Sequence, residues 1–154
     1  MKIRKAIVKD IEQIQRLRRL LEEYEKEELD NNILNINWVT SKNGIEDTQY
    51  FITKQYCFVA IEDNKIVGVL LGEVLPQEEW YTEQIATLDN IFVLKEYRRR
   101  GIGQELYNYF KEDIKNKGIR IIELHTLSNN KNAISFYKKI GFEPYNLQML
   151  NKEI

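Results

Sequence analysis

Cysteine, histidine and proline are scarce in this chain, whose 154 residues include one cysteine, one histidine and two prolines. A single cysteine excludes a disulfide framework, and with a single histidine it disfavours a zinc site built from those side chains. We therefore expect no bound metal. The sequence also lacks an apolar run long enough to span a membrane and a signal-peptide core at its N-terminus. We expect a soluble, cytoplasmic protein with no membrane partner.

An excess of basic charge is missing too. The chain carries 23 lysines and arginines against 24 aspartates and glutamates, which gives a net charge of −1. A nucleic-acid binder needs a basic face across the domain, so we expect no nucleic-acid partner. The apolar fraction of 43% is large enough for a proper core. Residues 1–154 are therefore expected to form a single domain.

Hydrophobic periodicity predicts elements in the order β-α-α-β-β-β-α-β-α-β. Predicted strands cover residues 2–8, 56–62, 65–75, 85–94 and 119–127, with one or two more within residues 142–151. The first predicted helix follows Asp10 as its N-cap. The others cover residues 45–54, the stretch from Ile102 to Gly118, and residues 132–140. The order predicts an α/β (α+β) fold with a mixed sheet and helices on both faces.

The stretch from Leu88 to Gly103 (LDNIFVLKEYRRRGIG) organises the chain around it. A strand-like run passes through a charged linker into three arginines and the glycines Gly101 and Gly103, and a helical pattern follows at once. Backbone N–H groups at a helix start lack partners, and the helix dipole makes that end positive. Glycine lets the backbone approach a ligand closely. The stretch predicts a site for a phosphorylated ligand.

Two well-known phosphate loops do not fit this stretch. A P-loop requires Gly-Lys followed by Ser or Thr, whereas Gly103 is followed by Gln104 and Glu105. A dinucleotide fingerprint requires a third glycine at position 106, which is Leu106 here. The spacing therefore disfavours both a nucleoside triphosphate and a dinucleotide.

Two motifs together carry a family resemblance. RRRGIG fits R-x-x-G-x-G, and about thirty residues later comes N-x-x-A-x-x-F-Y-x-x-x-G-F. The second motif consists of Asn130, Ala133, Phe136, Tyr137, Gly141 and Phe142. At these residues the chain resembles the GNAT superfamily of acetyl-CoA-dependent N-acetyltransferases. The resemblance implies a GNAT-like fold with a splayed central sheet, and one N-acetyltransferase domain over residues 1–154.

The resemblance also implies acetyl-CoA as cosubstrate and the residues that hold it. Backbone amides from Arg99 to Gln104 would cradle the pyrophosphate, and the strand ending at Phe92–Leu94 would pair with the pantetheine arm. The next strand would part from it through His125–Leu127, and Asn130 would hydrogen-bond the arm. The full implied set is Phe92, Val93, Leu94, Arg98, Arg99, Arg100, Gly101, Ile102, Gly103, Gln104, Asn130, Ala133, Phe136 and Tyr137.

Amine acetylation needs a proton acceptor, because an alkyl amine of pKa about 10.4 is neutral in only about one molecule in a thousand at pH 7. Three side chains are candidates for the base, in the order Asp89, His125, Glu73. Asp89 takes a position that is acidic in diamine and polyamine acetyltransferases, which this stretch resembles. Histidine has an ordinary pKa that suits proton transfer at neutral pH, which favours His125. Glu73 lies on the strand of residues 65–75, and we expect it to face the cleft where the two strands part. The resemblance makes Tyr137 the acid that protonates the leaving thiolate.

The leading hypothesis is acetyl transfer from acetyl-CoA to a small cationic primary amine, by direct attack in a ternary complex. Acidic residues near the expected acceptor side favour a cation; they are Glu22 to Glu28, Glu78, Glu79 and Glu83. The alternatives are acetylation of a protein N-terminus or lysine, a non-catalytic acyl-CoA-binding module, and nucleotide binding. The resemblance alone suggests a homodimer.

Overall fold

The computed structural model describes residues 1–154, which form a five-stranded sheet and four helices. The strands are β1 (Lys2–Lys5), β2 (Cys57–Glu62), β3 (Lys65–Val74), β4 (Ile85–Val93) and β5 (Ile121–Leu124). The helices are α1 (Ile11–Glu27), α2 (Lys42–Thr53), α3 (Ile102–Asn116) and α4 (Lys131–Lys139). None of these helices has the length and apolar character needed to cross a membrane. The predicted α/β fold with a mixed sheet is confirmed.

The strands lie in the order β1-β2-β3-β4-β5, and every neighbouring pair is antiparallel except β4 and β5. The parallel pair is short, because Ile85–Leu88 of β4 meets Ile121–Leu124 of β5 and no pairing follows. From that point β4 continues for five residues beside β3 alone. The two strands therefore part, as the resemblance predicted, and the C-terminal half of β4 keeps one edge free.

The two faces of the sheet are covered by different helices. An ideal Cβ at Gly72 would lie 2.7 Å from Phe110 Cζ of α3, so Gly72 faces α3. The next residue, Glu73, accepts a hydrogen bond from Tyr50 of α2. Successive strand residues point to opposite faces, so α3 covers one face and α2 the other. The core between the layers has fully buried side chains such as Phe58, Leu70, Leu71, Leu106 and Phe110.

Helix α1 begins directly after Asp10, as predicted, but one helix cap and one helix start differ from their predictions. Asp10 makes no capping hydrogen bond to α1, because its carboxylate accepts from the Arg4 guanidinium at 2.6 and 3.0 Å and from the Ile7 amide at 2.8 Å. Helix α2 begins at Lys42 rather than at residue 45, because the Ser41 hydroxyl caps it by accepting from the Gly44 amide. In both places the difference comes from local hydrogen bonds, which periodicity does not reveal.

The predicted final strand within residues 142–151 is wrong. Tyr145, Leu147 and Met149 alternate as strand residues do, yet their side chains are 87%, 80% and 82% exposed and the segment pairs with no strand. A strand needs a backbone partner and a surface to cover, and an alternating pattern supplies neither. Strands β1 and β5 are also shorter than predicted. Strand β1 ends at Lys5, after which one more backbone bond runs from the Ala6 amide to the Cys57 carbonyl at 2.8 Å, and β5 ends at Leu124.

Replacing Gly72 by alanine is expected to lower the free energy of unfolding by about 1–3 kcal/mol through overpacking. The new Cβ would lie 2.6 Å from the Thr87 carbonyl oxygen and 2.7 Å from Phe110 Cζ, and a backbone oxygen cannot move aside cheaply. Urea unfolding of the purified variant measures the loss. Gly103→Ala is the control, because its Cβ has no neighbour nearer than 3.4 Å and alanine favours a helix. Equal stability of the Gly72→Ala variant and the wild type would contradict the packing argument.

Candidate functional site

A β-bulge lies where β4 leaves β5. Leu71 of β3 is opposite Asn90, and the next residue, Gly72, is opposite Leu88, so Asp89 has no partner on β3. An extra residue bends a strand and re-aims the side chain at that position. Since the pairing with β5 ends at Leu88, Asp89 lies at the apex of the opening between the two strands. The bulge therefore places a carboxylate where the sheet splits.

The free edge of β4 presents backbone groups to the opening. The Leu94 amide donates to the Val67 carbonyl at 2.9 Å, so Leu94 directs its backbone towards β3. Alternate residues of an antiparallel strand direct their N–H and C=O groups to opposite edges. Val93 and Ile91 therefore face the opening, where Arg98 Nε donates to the Val93 carbonyl at 2.8 Å. Of the three strand residues predicted to pair with pantetheine, Val93 is the one whose amide faces the opening.

The glycine loop carries six backbone amides without protein acceptors, from Arg99 to Gln104. The first backbone bond after them runs from the Glu105 amide to the Gly101 carbonyl at 3.0 Å. Gly101 has φ +80° as the residue before α3, and Arg99 has φ +61°. Such a run of free N–H groups at the positive end of a 15-residue helix binds anions. The predicted phosphate site has this geometry.

The three arginines beside this loop have different surroundings. Arg100 pairs with Glu62 at 2.7 Å. Arg98 donates to Val93 as described, and its guanidinium lies 5.2 Å from the centre of the Phe92 ring. Arg99 is exposed and forms neither an ion pair nor a hydrogen bond within the chain. Arg99 is therefore the arginine with a guanidinium free to meet an anion.

The second motif packs against the first. Asn130 is the N-cap of α4, where its Oδ1 accepts from the Ala133 amide at 3.2 Å and its side chain is buried. An ideal Cβ at Gly103 would lie 3.4 Å from Phe136 Cζ, so α4 contacts the start of α3. The absence of a side chain at Gly103 leaves room for the Phe136 ring. The structure thus brings the two predicted motifs together.

Tyr137 lies half-buried on α4 with no hydrogen-bond partner for its hydroxyl within the chain. Its ring packs edge-on against Phe142 with the centroids 5.9 Å apart. Burial, with a smaller contribution from Glu25, raises the pKa of Tyr137 to about 12. The phenol is therefore protonated at neutral pH and able to donate its proton.

Asp89 has the most strongly shifted carboxyl pKa in the chain. The residue is open to solvent through the cleft, yet the protein crowded around it and the charges of Glu73 and Asp47 raise its pKa to about 7. Glu123 adds a smaller upward effect, and the Arg18 guanidinium opposes the shift. A carboxylate with a pKa near 7 is matched to proton transfer at neutral pH.

The other two base candidates lie in different surroundings. Glu73 accepts a hydrogen bond of 2.7 Å from the Tyr50 hydroxyl. His125 follows the last residue of β5, its side chain is 81% exposed, and its Nε2 lies 4.0 Å from Glu123 Oε1. The structure therefore brings Glu73 and Asp89 to one face of the cleft and leaves His125 at its solvent side.

Sequence reasoning missed the groups that surround Asp89 from other elements. Tyr50 and Asp47 come from α2, Arg18 from α1 and Glu123 from β5. Arg18 is 7% exposed and pairs with Asp47 at 2.9 Å. These residues follow no motif spacing, so the only available signal was that Arg18 and Asp47 are charged positions on amphipathic helices.

The sequence matches a known family over most of its length. The model of the acetyltransferase (GNAT) family matches residues 13–142. This chain belongs to the acetyltransferase (GNAT) family. The matched range contains both motifs, so the resemblance inferred from them is confirmed.

Named relatives in this family match about half of the chain. An uncharacterized N-acetyltransferase, MJ1207, of Methanocaldococcus jannaschii is 47% identical over 86 residues, which are 56% of this chain and 38% of that protein. The N-alpha-acetyltransferase 30 of Schizosaccharomyces pombe is 31% identical over 100 residues, which are 63% of this chain and 65% of that protein. The chain thus spans less than two thirds of each relative's length.

Solved structures of other proteins show the same fold. The BH1408 protein of Bacillus halodurans, solved as a tetramutant, superposes with a TM-score of 0.87 at 21% identity and covers 99% of this chain and 100% of its own. An aminoglycoside N-acetyltransferase, AAC(6')-Iy in complex with CoA, superposes with a TM-score of 0.75 at 18% identity, over 99% of both chains. At such low identities these superpositions support the fold.

The raised pKa of Asp89 predicts a pH-dependent cost to stability. Its carboxyl ionises near pH 4 in the unfolded chain and near pH 7 in the fold, so between these values the folded state holds a proton that the unfolded state releases. The stabilisation that this retained proton gives the folded state is complete below about pH 4 and is lost as the pH rises through 7. Asparagine cannot ionise, so the Asp89→Asn variant should have a higher melting temperature than the wild type at pH 8 and the same melting temperature near pH 4.

Thermal melts of both proteins between pH 4 and 8 measure this difference. Asp63→Asn is the matched control, because Asp63 lies in the β2–β3 turn with φ +48°, a conformation that asparagine tolerates. The control should follow the wild type at every pH. A melting difference for Asp89→Asn that is constant across the range would show that Asp89 ionises normally.

Proposed function

We propose that this chain transfers an acetyl group from acetyl-CoA to a primary amine, and that the acceptor is a small cationic amine. The observation that carries the proposal is the arrangement along the free edge of β4. A carboxylate with a pKa near 7, Asp89, stands at one end, and six unpaired backbone amides follow the other end. This arrangement suits an anionic cosubstrate and a cationic acceptor that meet between the two ends.

The residues of the glycine loop fit the pyrophosphate of acetyl-CoA. Amides from Arg99 to Gln104 have no competing acceptor, and a Cβ at Gly101 would meet no atom within 4 Å, so the loop is open to a ligand. The Arg99 guanidinium adds a free positive charge. The Val93 amide faces the opening and would hold the pantetheine arm as an added strand does. Acetyl-CoA supplies the thioester that is attacked.

Asp89 is the base in this proposal. An ammonium group that enters the cleft gives one proton to the Asp89 carboxylate, and the neutral nitrogen attacks the thioester carbonyl carbon. Proton transfer from an amine of pKa about 10.4 to a carboxylate of pKa near 7 costs on the order of 4–5 kcal/mol, about half of what an aspartate of ordinary pKa would require. A strand amide of β4 that faces the opening can bind the oxyanion that forms. His125 and Glu73 become secondary to Asp89.

Tyr137 completes the proton balance as the acid. When the carbon–sulfur bond breaks, the Tyr137 phenol gives its proton to the thiolate. The second proton, which the nitrogen loses as the amide forms, restores the Tyr137 phenol. The product is an amide and a free thiol, with one proton released to solvent through Asp89. The half-buried position of Tyr137 on α4, the helix that follows the parted strand β5, supports this role.

The charges of the cleft favour a cationic acceptor. The charges of Glu73, Asp47 and Glu123 all act on Asp89, and Arg18 pairs with Asp47. Near the start of β4 a small pocket continues this acidic character, with walls that include Glu78, Tyr81, Glu83 and Glu123. A field of this sign attracts ammonium groups and repels anions.

A protein N-terminus is the second candidate acceptor, and the name of the relative N-alpha-acetyltransferase 30 favours it. A purified-protein assay of thiol release from acetyl-CoA separates the candidates. The panel contains diamines and polyamines, aminoglycosides, and peptides with free N-termini or lysines. Turnover of the small amines supports the proposal. Turnover of peptides alone supports the second candidate, and coenzyme A binding without thiol release from any amine supports a non-catalytic module.

Tyr137→Phe is expected to lower kcat about 100-fold or more, because it removes the proton donor and keeps the ring. Affinity for acetyl-CoA, measured by calorimetry, should stay within about twofold of wild type since the ring still packs against Phe142. Tyr145→Phe is the control, because Tyr145 lies in the exposed C-terminal segment. Unchanged turnover in Tyr137→Phe would remove Tyr137 from the mechanism.

A further inference from the structure

Tyr50 makes a contact at the cleft that the proposed mechanism does not use. Its side chain is 43% exposed, and its hydroxyl donates to Glu73 Oε2 at 2.7 Å. Its ring packs edge-on against Phe51 with the centroids 5.5 Å apart. The hydrogen bond joins α2 to β3 at the position where Glu73 faces Asp89. A ring held by Phe51 with a hydroxyl aimed at one carboxylate is suited to fixing that carboxylate.

The carboxylates of Glu73 and Asp89 differ in the hydrogen bonds that they accept. Glu73 accepts the Tyr50 hydroxyl, whereas the Asp89 carboxylate accepts no hydrogen bond within the chain. A hydrogen bond to an ionised carboxylate stabilises its charge, and two carboxylates close together resist joint ionisation. A proton entering this pair therefore goes to Asp89, which has no donor. The environments of the two groups differ in the way that separates an acid–base residue from a permanently charged one.

Charged groups face Asp89 from every element packed against it. Glu73 lies on β3, Asp47 on α2, Arg18 on α1 and Glu123 on β5. The Asp47 charge is compensated by its ion pair with Arg18 at 2.9 Å. Glu73 accepts only from the uncharged Tyr50 hydroxyl, so no cation pairs with its carboxylate. Among these neighbours Glu73 has the largest charge effect on Asp89.

We propose that Tyr50 is a positioning residue, whose hydroxyl fixes Glu73 as an ionised anchor for the ammonium group and so leaves Asp89 to take the proton. The proposal rests on the acetyl transfer proposed above. A tyrosine serves this purpose better than a lysine or arginine, because a cation at this position would cancel the charge that attracts the amine. The hydroxyl orders Glu73 without neutralising it.

Tyr50→Phe tests the proposal, since it removes one oxygen and keeps the ring against Phe51. Without the Tyr50 hydroxyl, the Glu73 carboxylate either moves away from Asp89 or shares the proton that Asp89 would otherwise hold alone. In both cases the charge of Glu73 raises the pKa of Asp89 less than it does in the wild type. The carbon-13 titration of the Asp89 carboxyl, identified by its loss in Asp89→Asn, should shift about one unit towards acid. The acidic limb of the pH profile of kcat/KM should shift to lower pH by the same amount. The KM for the amine should rise about fivefold, while the KM for acetyl-CoA is unchanged.

Tyr109→Phe is the matched control, because it makes the same chemical change at an exposed position of α3, across the sheet from the cleft. It should leave all of these readouts at wild-type values. Glu73→Gln is the second variant and should reproduce the acid shift of Asp89. An Asp89 titration in Tyr50→Phe that superposes on the wild type would overturn the proposal. The Asp89 titration needs no turnover, so it tests the role of Tyr50 independently of the proposed function. Failure of the proposed function would appear instead as an amine panel that gives no thiol release.

Discussion

One extra residue in β4 is the constraint on which the rest of the site depends. Because Asp89 has no partner on β3, the register beyond it is offset and the strand bends where its pairing with β5 ends. The same irregularity thus opens the sheet, frees the edge that includes Val93, and aims a carboxylate into the gap. An uninterrupted pairing of β4 with β5 would use those backbone groups in the sheet and leave nothing for a ligand.

The carboxylates around this gap are held close against their mutual repulsion, and a buried arginine makes this possible. Arg18 is 7% exposed, pairs with Asp47, and donates to the Thr48 hydroxyl at 2.5 Å. Thr48 in turn donates to Gln15 Oε1 at 2.6 Å, so the network ties α2 to α1. Buried polar networks of this kind, once satisfied, fix the relative orientation of their elements. The orientation of α2 decides where Tyr50 reaches, so the electrostatics of the cleft depend on this packing.

Local patterns in the sequence were enough for most of the fold. Strands, helices and the glycine loop follow from periodicity and from Gly101 and Gly103, and the two motifs identify the family. The final strand was mispredicted because alternation in Tyr145–Met149 says nothing about a backbone partner. The bulge at Asp89 and the approach of Tyr50 to Glu73 were out of reach for a different reason. Both depend on register and on helix orientation, which are set by contacts between residues distant in sequence.

The two ends of the site carry opposite charge although the whole chain is nearly neutral. From Asp89 to Val93 the strand rises about 13 Å, at about 3.3 Å per residue, and the glycine loop follows. Free amides and Arg99 make the loop end positive, while Asp89 and Glu73 make the other end negative. An anion and a cation that enter this cleft are therefore sorted to opposite ends before any specific contact forms. Local charge, rather than the net charge of −1, decides which end of the opening attracts an anion and which attracts a cation.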